Sequence, residues 1–108
     1  MTNQKINKAI AKYLGWKEFS SFSDCKQIIG KRPFFKNGKI VSYTVDQYVP
    51  DYCNDLNEMH EAEKMLNEKQ EDIMNSTLWD IMDGRKYLWH STASQQAEAF
   101  VRTIGKWD

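Results

Sequence analysis

The stretch with the most catalytic potential in this chain is His60-Glu61-Ala62-Glu63-Lys64. It begins like the zinc-protease pattern, in which two histidines four apart on one helix face bind the metal and a glutamate between them acts as base. Lys64 stands where the second histidine belongs, and a protonated ammonium cannot ligate zinc. The other histidine, His90, is far away in sequence, and neither Cys25 nor Cys53 has ligand-like spacing to it. Asp51, Asp55, Glu58, Glu61 and Glu63 form a local acidic run. Acid/base work needs two carboxylates whose environments drive their pKa values apart. A helix start attracts acidic side chains for capping and dipole reasons alone. Calcium-loop spacing is missing as well. The five glycines, at 15, 30, 38, 84 and 105, are too dispersed for a phosphate loop. No serine sits in a nucleophile elbow. The expectation is a non-enzymatic protein with no catalytic, metal or cofactor site. A small enzyme or metal protein built on His60, His90 or the Asp51–Glu63 cluster is the third-ranked reading.

Binding chemistry is better represented. Lys26, Lys31, Arg32, Lys36 and Lys39 interleave with Phe34 and Phe35, and aromatics among cations can stack bases and grip phosphates. Lysines on an edge strand also discourage pairing with other chains, which is the simpler explanation. Fifteen basic and fifteen acidic residues cancel, so the basic excess common in nucleic-acid binders is missing. Nucleic-acid binding through Lys31, Arg32, Phe34, Phe35 and Lys36 is therefore the alternative reading. Four tryptophans, at 16, 79, 89 and 107, are many for 108 residues. Tryptophan serves both cores and interfaces, and at least one is expected to be partly exposed. The candidate protein-interface residues are Trp16, Phe34, Phe35, Tyr48, Tyr52 and Trp107. A surface with no net charge resists self-association poorly, so a homodimer is compatible with the sequence.

The elements that must position these side chains are written in periodicity and punctuation. Ile6, Ala9, Ile10, Tyr13 and Leu14 fall on one helical stripe, with Thr2 or Asn3 as cap and Gly15 as stop. Trp16 should pack back on that helix. Residues 19–24 read as a turn-rich connection, Gln27-Ile28-Ile29 as a short strand, and Pro33 as an edge or loop position. Asn37-Gly38 signals a hairpin. Val41, Tyr43 and Val45 alternate with Ser42 and Thr44 as in a half-buried strand. Asp55 with Glu58 opens a helix bearing Leu56, Met59, Ala62 and Leu66 on one face. Asn67 with Gln70 starts the next, which carries Ile73, Met74, Leu78 and Ile81 and stops at Asp83-Gly84. Tyr87–His90 reads as a short strand. Thr92 with Gln95 starts a last helix that buries Ala97, Phe100, Val101 and Ile104 and stops at Gly105.

The expected order is helix, two strands, two helices, strand, helix, in one domain over residues 1–108. The fold class is α+β: a small α/β/α sandwich whose short, mostly antiparallel sheet has helices on both faces. No apolar run approaches the ~18 residues that would span a bilayer. No secretory leader opens the chain. Two cysteines are too few for a disulfide framework, so a cytoplasmic protein with reduced thiols and no membrane partner is expected.

Three stretches add a resemblance: Ile6 through Leu14-Gly15-Trp16, Val49-Pro50-Asp51-Tyr52-Cys53 through Lys64, and Trp89-His90-Ser91-Thr92-Ala93 through Trp107. Together they resemble the opening, middle and ending of the phage ABA-sandwich domain family. The resemblance covers about half of the chain; the middle from Lys17 to Gln47 does not share it. It implies an α/β/α sandwich and a phage or prophage origin in a bacterial host. It brings no active-site residue to any position. The leading expectation is a phage accessory protein that binds a host or phage protein; its sharpest form is host takeover or inhibition of a defence system, such as an anti-CRISPR.

Overall fold

The computed structural model describes residues 2–21, 28–82 and 91–107. The elements are α1 (Asn3–Tyr13), β1 (Lys17–Ser21), β2 (Ile28–Lys36), β3 (Lys39–Tyr48), α2 (Leu56–Glu63), α3 (Glu68–Ile81) and α4 (Ala93–Thr103). The protein is α+β, with one antiparallel sheet in the order β1-β2-β3.

The helix boundaries follow the capping residues. Thr2 Oγ1 accepts from the Lys5 N–H at 3.3 Å, and Asp55 Oδ1 from the Glu58 N–H at 3.2 Å. Asn67 with Gln70 and Thr92 with Gln95 form reciprocal capping boxes, each satisfying two backbone donors that helix starts otherwise leave unpaired. At the other end of α1, Gly15 takes φ +100° and the Trp16 N–H donates to the Ala11 carbonyl at 3.0 Å. That turn points Trp16 back into the core. Gly105 does the same for α4 with φ +76°. Asp83-Gly84, the expected stop of α3, lies outside the described residues, as does the expected strand Tyr87–His90.

The helices gather around α4, which touches α1, α2 and α3. Phe100 and Val101 of α4 are fully buried, as are Ile10 and Ala11 of α1 and Met59 of α2. Tyr13 meets the Phe100 ring edge-on at 5.7 Å between centroids. Three residues placed on helical stripes by periodicity, Tyr13, Leu56 and Ile73, are instead exposed. Burial of apolar area against α4 supplies most of the stability of these short amphipathic helices.

The sheet departs from the sequence reading in three ways. Phe19–Ser21, expected as part of a turn-rich connection, belongs to strand β1. Its Phe19 packs over Gly30 so closely that a Cβ there would lie 3.0 Å from the Phe19 ring. Burying an aromatic on β2 overrides the turn preference of the flanking serines. Second, the short strand at Ile28-Ile29 extends to Lys36. That strand runs on through Pro33, which still holds the edge position expected of it, because β1 does not reach it. The proline fits because β1 pairs with β2 only up to Lys31 and the β2–β3 register slips between Lys31 and Pro33, so no ladder bond needs the missing N–H. Third, Val41 and Val45 are exposed rather than half-buried. The register slips twice along this pair, between Lys31 and Pro33 and between Phe34 and Phe35. Each slip adds one residue to β3 and resets its alternation. The Asn37-Gly38 hairpin forms as expected, with φ of +52° and +77°.

Candidate functional site

The hairpin β2–β3 carries the largest share of apolar side chains left in solvent. Phe34, Phe35, Ile40, Val41, Val45 and Tyr48 are all exposed, Val45 at 82% and Tyr48 at 61%. β3 is an edge strand. The Arg32 N–H donates to Thr44 Oγ1 at 3.0 Å beside the first bulge, spending a hydrogen bond on the irregularity. Bulges interrupt the even row of donors and acceptors that strand addition requires. Any contact with another molecule here would be made by side chains rather than by backbone pairing.

At the root of the hairpin, a depression of about 180 Å³ brings together Trp16, Arg32, Phe35, Tyr52, Glu58 and Met65. Arg32 lies 5.5 Å over the Trp16 ring and 3.5 Å from Glu58. The Tyr52 hydroxyl is buried without a hydrogen-bond partner. Burial holds the Tyr52 phenol well above its ordinary pKa, with Arg32 opposing and Glu58 adding to the rise. Glu58 Oε2 meets Arg32 as an ion pair without the geometry of a hydrogen bond and is otherwise unpartnered. Phe35 and Met65 stand exposed on the rim. Binding pockets are commonly lined by apolar side chains with a few placed polar groups among them.

Not every expected interface residue is on this surface. Trp16 and Tyr52 are core residues, 4% and 1% exposed. Their bulk fills the junction of α1, α2 and the sheet, where the Arg32 depression reaches them. Trp107 packs partly against the core and is stacked by Arg102 at 4.5 Å. Phe34, Phe35 and Tyr48 are exposed on the hairpin. Among the tryptophans, Trp79 is the exposed one of the described residues. In comparisons with protein-family models, curated proteins and solved structures, nothing matches this chain.

Several of the basic residues are already engaged. Lys31 binds Glu18 at 3.1 Å and faces Asp46 at 3.9 Å; the hydrogen bond and charge of Glu18, then Asp46, raise its pKa. Lys17 sits 4.0 Å over the Tyr43 ring. Lys36 and Lys39 remain exposed at the hairpin turn.

The acidic run divides by role. Asp51 accepts from the Asn7 and Asn54 side chains at 3.0 and 2.8 Å, and Asp55 caps α2. Glu61 binds Lys64 at 2.9 Å, and that hydrogen bond holds its pKa down. Burial and Asp51 push the Cys53 thiol up to about 11, so it is protonated and unreactive at neutral pH. Among the described residues, no three histidine, cysteine or carboxylate groups are placed to hold a metal ion. Glu63 has a different environment, since it turns toward α3 and α4. It lines a second cleft, of about 300 Å³, with His60, Leu66, Glu71, Met74, Asn75, Leu78 and Gln96. Gln96 was not singled out from the sequence. The available signal was its position four residues before Phe100, a polar side chain on the buried stripe of α4.

Proposed function

We propose that this chain is a small, non-enzymatic accessory protein of phage or prophage origin that acts by binding a protein of the host cell or of the phage. The phage origin rests on the sequence resemblance of its opening, middle and ending. The binding role rests chiefly on one observation: the β2–β3 hairpin exposes six apolar side chains beside a depression rimmed by Phe35 and Met65. Apolar side chains left exposed in such number on one hairpin are a mark of protein recognition. The partner contacts Phe34, Phe35, Val45 and Tyr48 and seats one side chain in the Arg32–Tyr52 depression. Inhibition of a host defence system is the sharpest form of this reading.

Nucleic-acid binding through Lys31, Arg32, Phe34, Phe35 and Lys36 has less in its favour. Two of its three cations are already opposed by Glu18, Asp46 and Glu58. A phosphate would have to displace those carboxylates.

Site-specific photocrosslinking in bacterial cells expressing the chain tests the proposal. A photoreactive phenylalanine analogue in place of Phe34 should capture one protein repeatedly, whereas the same analogue in place of Trp79 should not. Crosslinks to nucleic acid, or an identical pattern from both positions, would count against it.

A further inference from the structure

The second cleft lies between α2, α3 and α4, on side chains the hairpin surface does not use. Its inner wall holds polar atoms of one kind. Glu63 Oε1 and Gln96 Oε1 are both buried, and neither has a hydrogen-bond partner. The Gln96 side chain is 7% exposed, and its amide nitrogen donates to Ser91 Oγ at 2.9 Å. That bond engages the amide nitrogen, and the carbonyl oxygen is the group without a partner. Buried acceptors left in this state are uncommon in folded proteins, because each forfeits a bond it would make in water. Glu71 adds a second, exposed carboxylate at the mouth, and Leu66, Met74 and Leu78 give the cleft apolar sides.

We propose that this cleft binds an organic cation, a guanidinium or primary ammonium group carried on an aliphatic stem. Every unpartnered polar atom on its inner wall accepts, so the missing group donates. Two carboxylates select a positive donor over a neutral one, and a planar guanidinium or an ammonium supplies several N–H groups at once. Leu66, Met74 and Leu78 suit a methylene stem, since such stems lie along apolar surface while the charged head finds its polar partners. A divalent metal fits less well, because His60, Glu63 and Glu71 do not converge as a ligand set. The cleft volume lies at the lower end of the range for small-ligand sites.

The energetics of Glu63 agree. Burial, reinforced by Glu71 and opposed by His60, holds its carboxyl above the ordinary value, so its ionised form weakens the fold at neutral pH. A bound cation would reverse that cost. Residues that oppose stability are commonly kept for function. This site stands independently of the hairpin reading.

Amide-detected NMR titration of the full chain tests the assignment. Agmatine, the blocked amino acid N-acetyl-arginine amide, and neutral butylurea are each added to the millimolar range. The cations should give saturable shifts confined to residues 60–66 and 71–78 and the Gln96 side-chain amide; butylurea should give none. Saturation by either cation supports the proposal. A tighter fit for agmatine points to a free small cation, and a tighter fit for blocked arginine points to a side chain of a partner protein. Glu63→Gln should weaken binding by about tenfold or more. The exposed Glu71→Gln, which leaves the packing untouched, should weaken it severalfold. No saturable shift with either cation, or an equal response to butylurea, would overturn the proposal.

Discussion

The helical cluster around α4 and the β2–β3 hairpin treat apolar residues in opposite ways. In the cluster, Ile10, Ala11, Met59, Phe100 and Val101 are removed from water almost completely. In the hairpin, Phe34, Val41, Val45 and Tyr48 stay in it. Isolated exposed hydrophobic residues are ordinary, but several along one hairpin are not needed to hold any core together. The difference shows which apolar residues build the core, and it underlies the proposal that the hairpin surface serves recognition. A substitution in the cluster should unfold the protein, and one on the hairpin should leave the fold intact and alter only binding.

The largest expected effect is Phe100→Ala. It removes a fully buried ring from the meeting point of α1 and α4 and should cost about 3–5 kcal/mol, measured by chemical denaturation. Gly15→Ala comes next. Its φ of +100° is strained for any side chain, and the added Cβ would lie 3.0 Å from Ile40, so a loss of ~1–3 kcal/mol is expected. Because Gly15 joins helix to sheet, the loss should also disturb the hairpin root. Thr92→Ala removes one capping bond of α4 and should cost about 1 kcal/mol. Val45→Asp, at the opposite extreme, should change stability by less than ~0.5 kcal/mol. If it destabilised the fold as much as Thr92→Ala, the division between the two regions would fail.

The smallest effect concerns pH. A carboxyl whose pKa is raised on folding contributes stability that is present below its unfolded value near 4.5 and lost as pH rises through its higher folded value. Glu63 is such a group. Glu63→Gln should therefore raise the melting temperature slightly at pH 7, with the gain shrinking toward zero as pH falls below 4.5. Paired melting curves at pH 4 and pH 7 check it, and a gain that grew at low pH would contradict the sign.

Legibility in the sequence followed the same division. The helices were readable because each cap is a local signal: Thr92 and Gln95, or Asn67 and Gln70, sit three residues apart and exchange bonds through each other's side chain and backbone. The Asn37-Gly38 turn was readable for the same reason. Strand β1 was not, because what makes it a strand is Phe19 meeting Gly30, a contact with no trace in the serines around it. The bulges of β3 escaped too. Val41, Tyr43 and Val45 alternate well on paper, and nothing in those residues announces that the register slips on either side of Tyr43. Of the candidate interface residues, Phe34, Phe35 and Tyr48 reach the surface, whereas the side chains of Trp16 and Tyr52 suit a core or an interface equally well and were used for the core. Gln96 was the reverse case, a polar residue whose position on a buried stripe became informative only once its carbonyl proved to have no partner.

The division of labour between cluster and hairpin is tested most directly by partner capture beside thermal stability. Wild-type protein and the double variant Phe34→Asp, Val45→Asp would be compared as baits in lysate of a bacterial host, each with its melting curve. The expected result is a protein captured by the wild type and lost from the variant, with the two melting temperatures within about 2 °C of each other. Equal capture by both baits, or a variant that melts far earlier, would contradict the claim that the hairpin surface serves recognition rather than the fold.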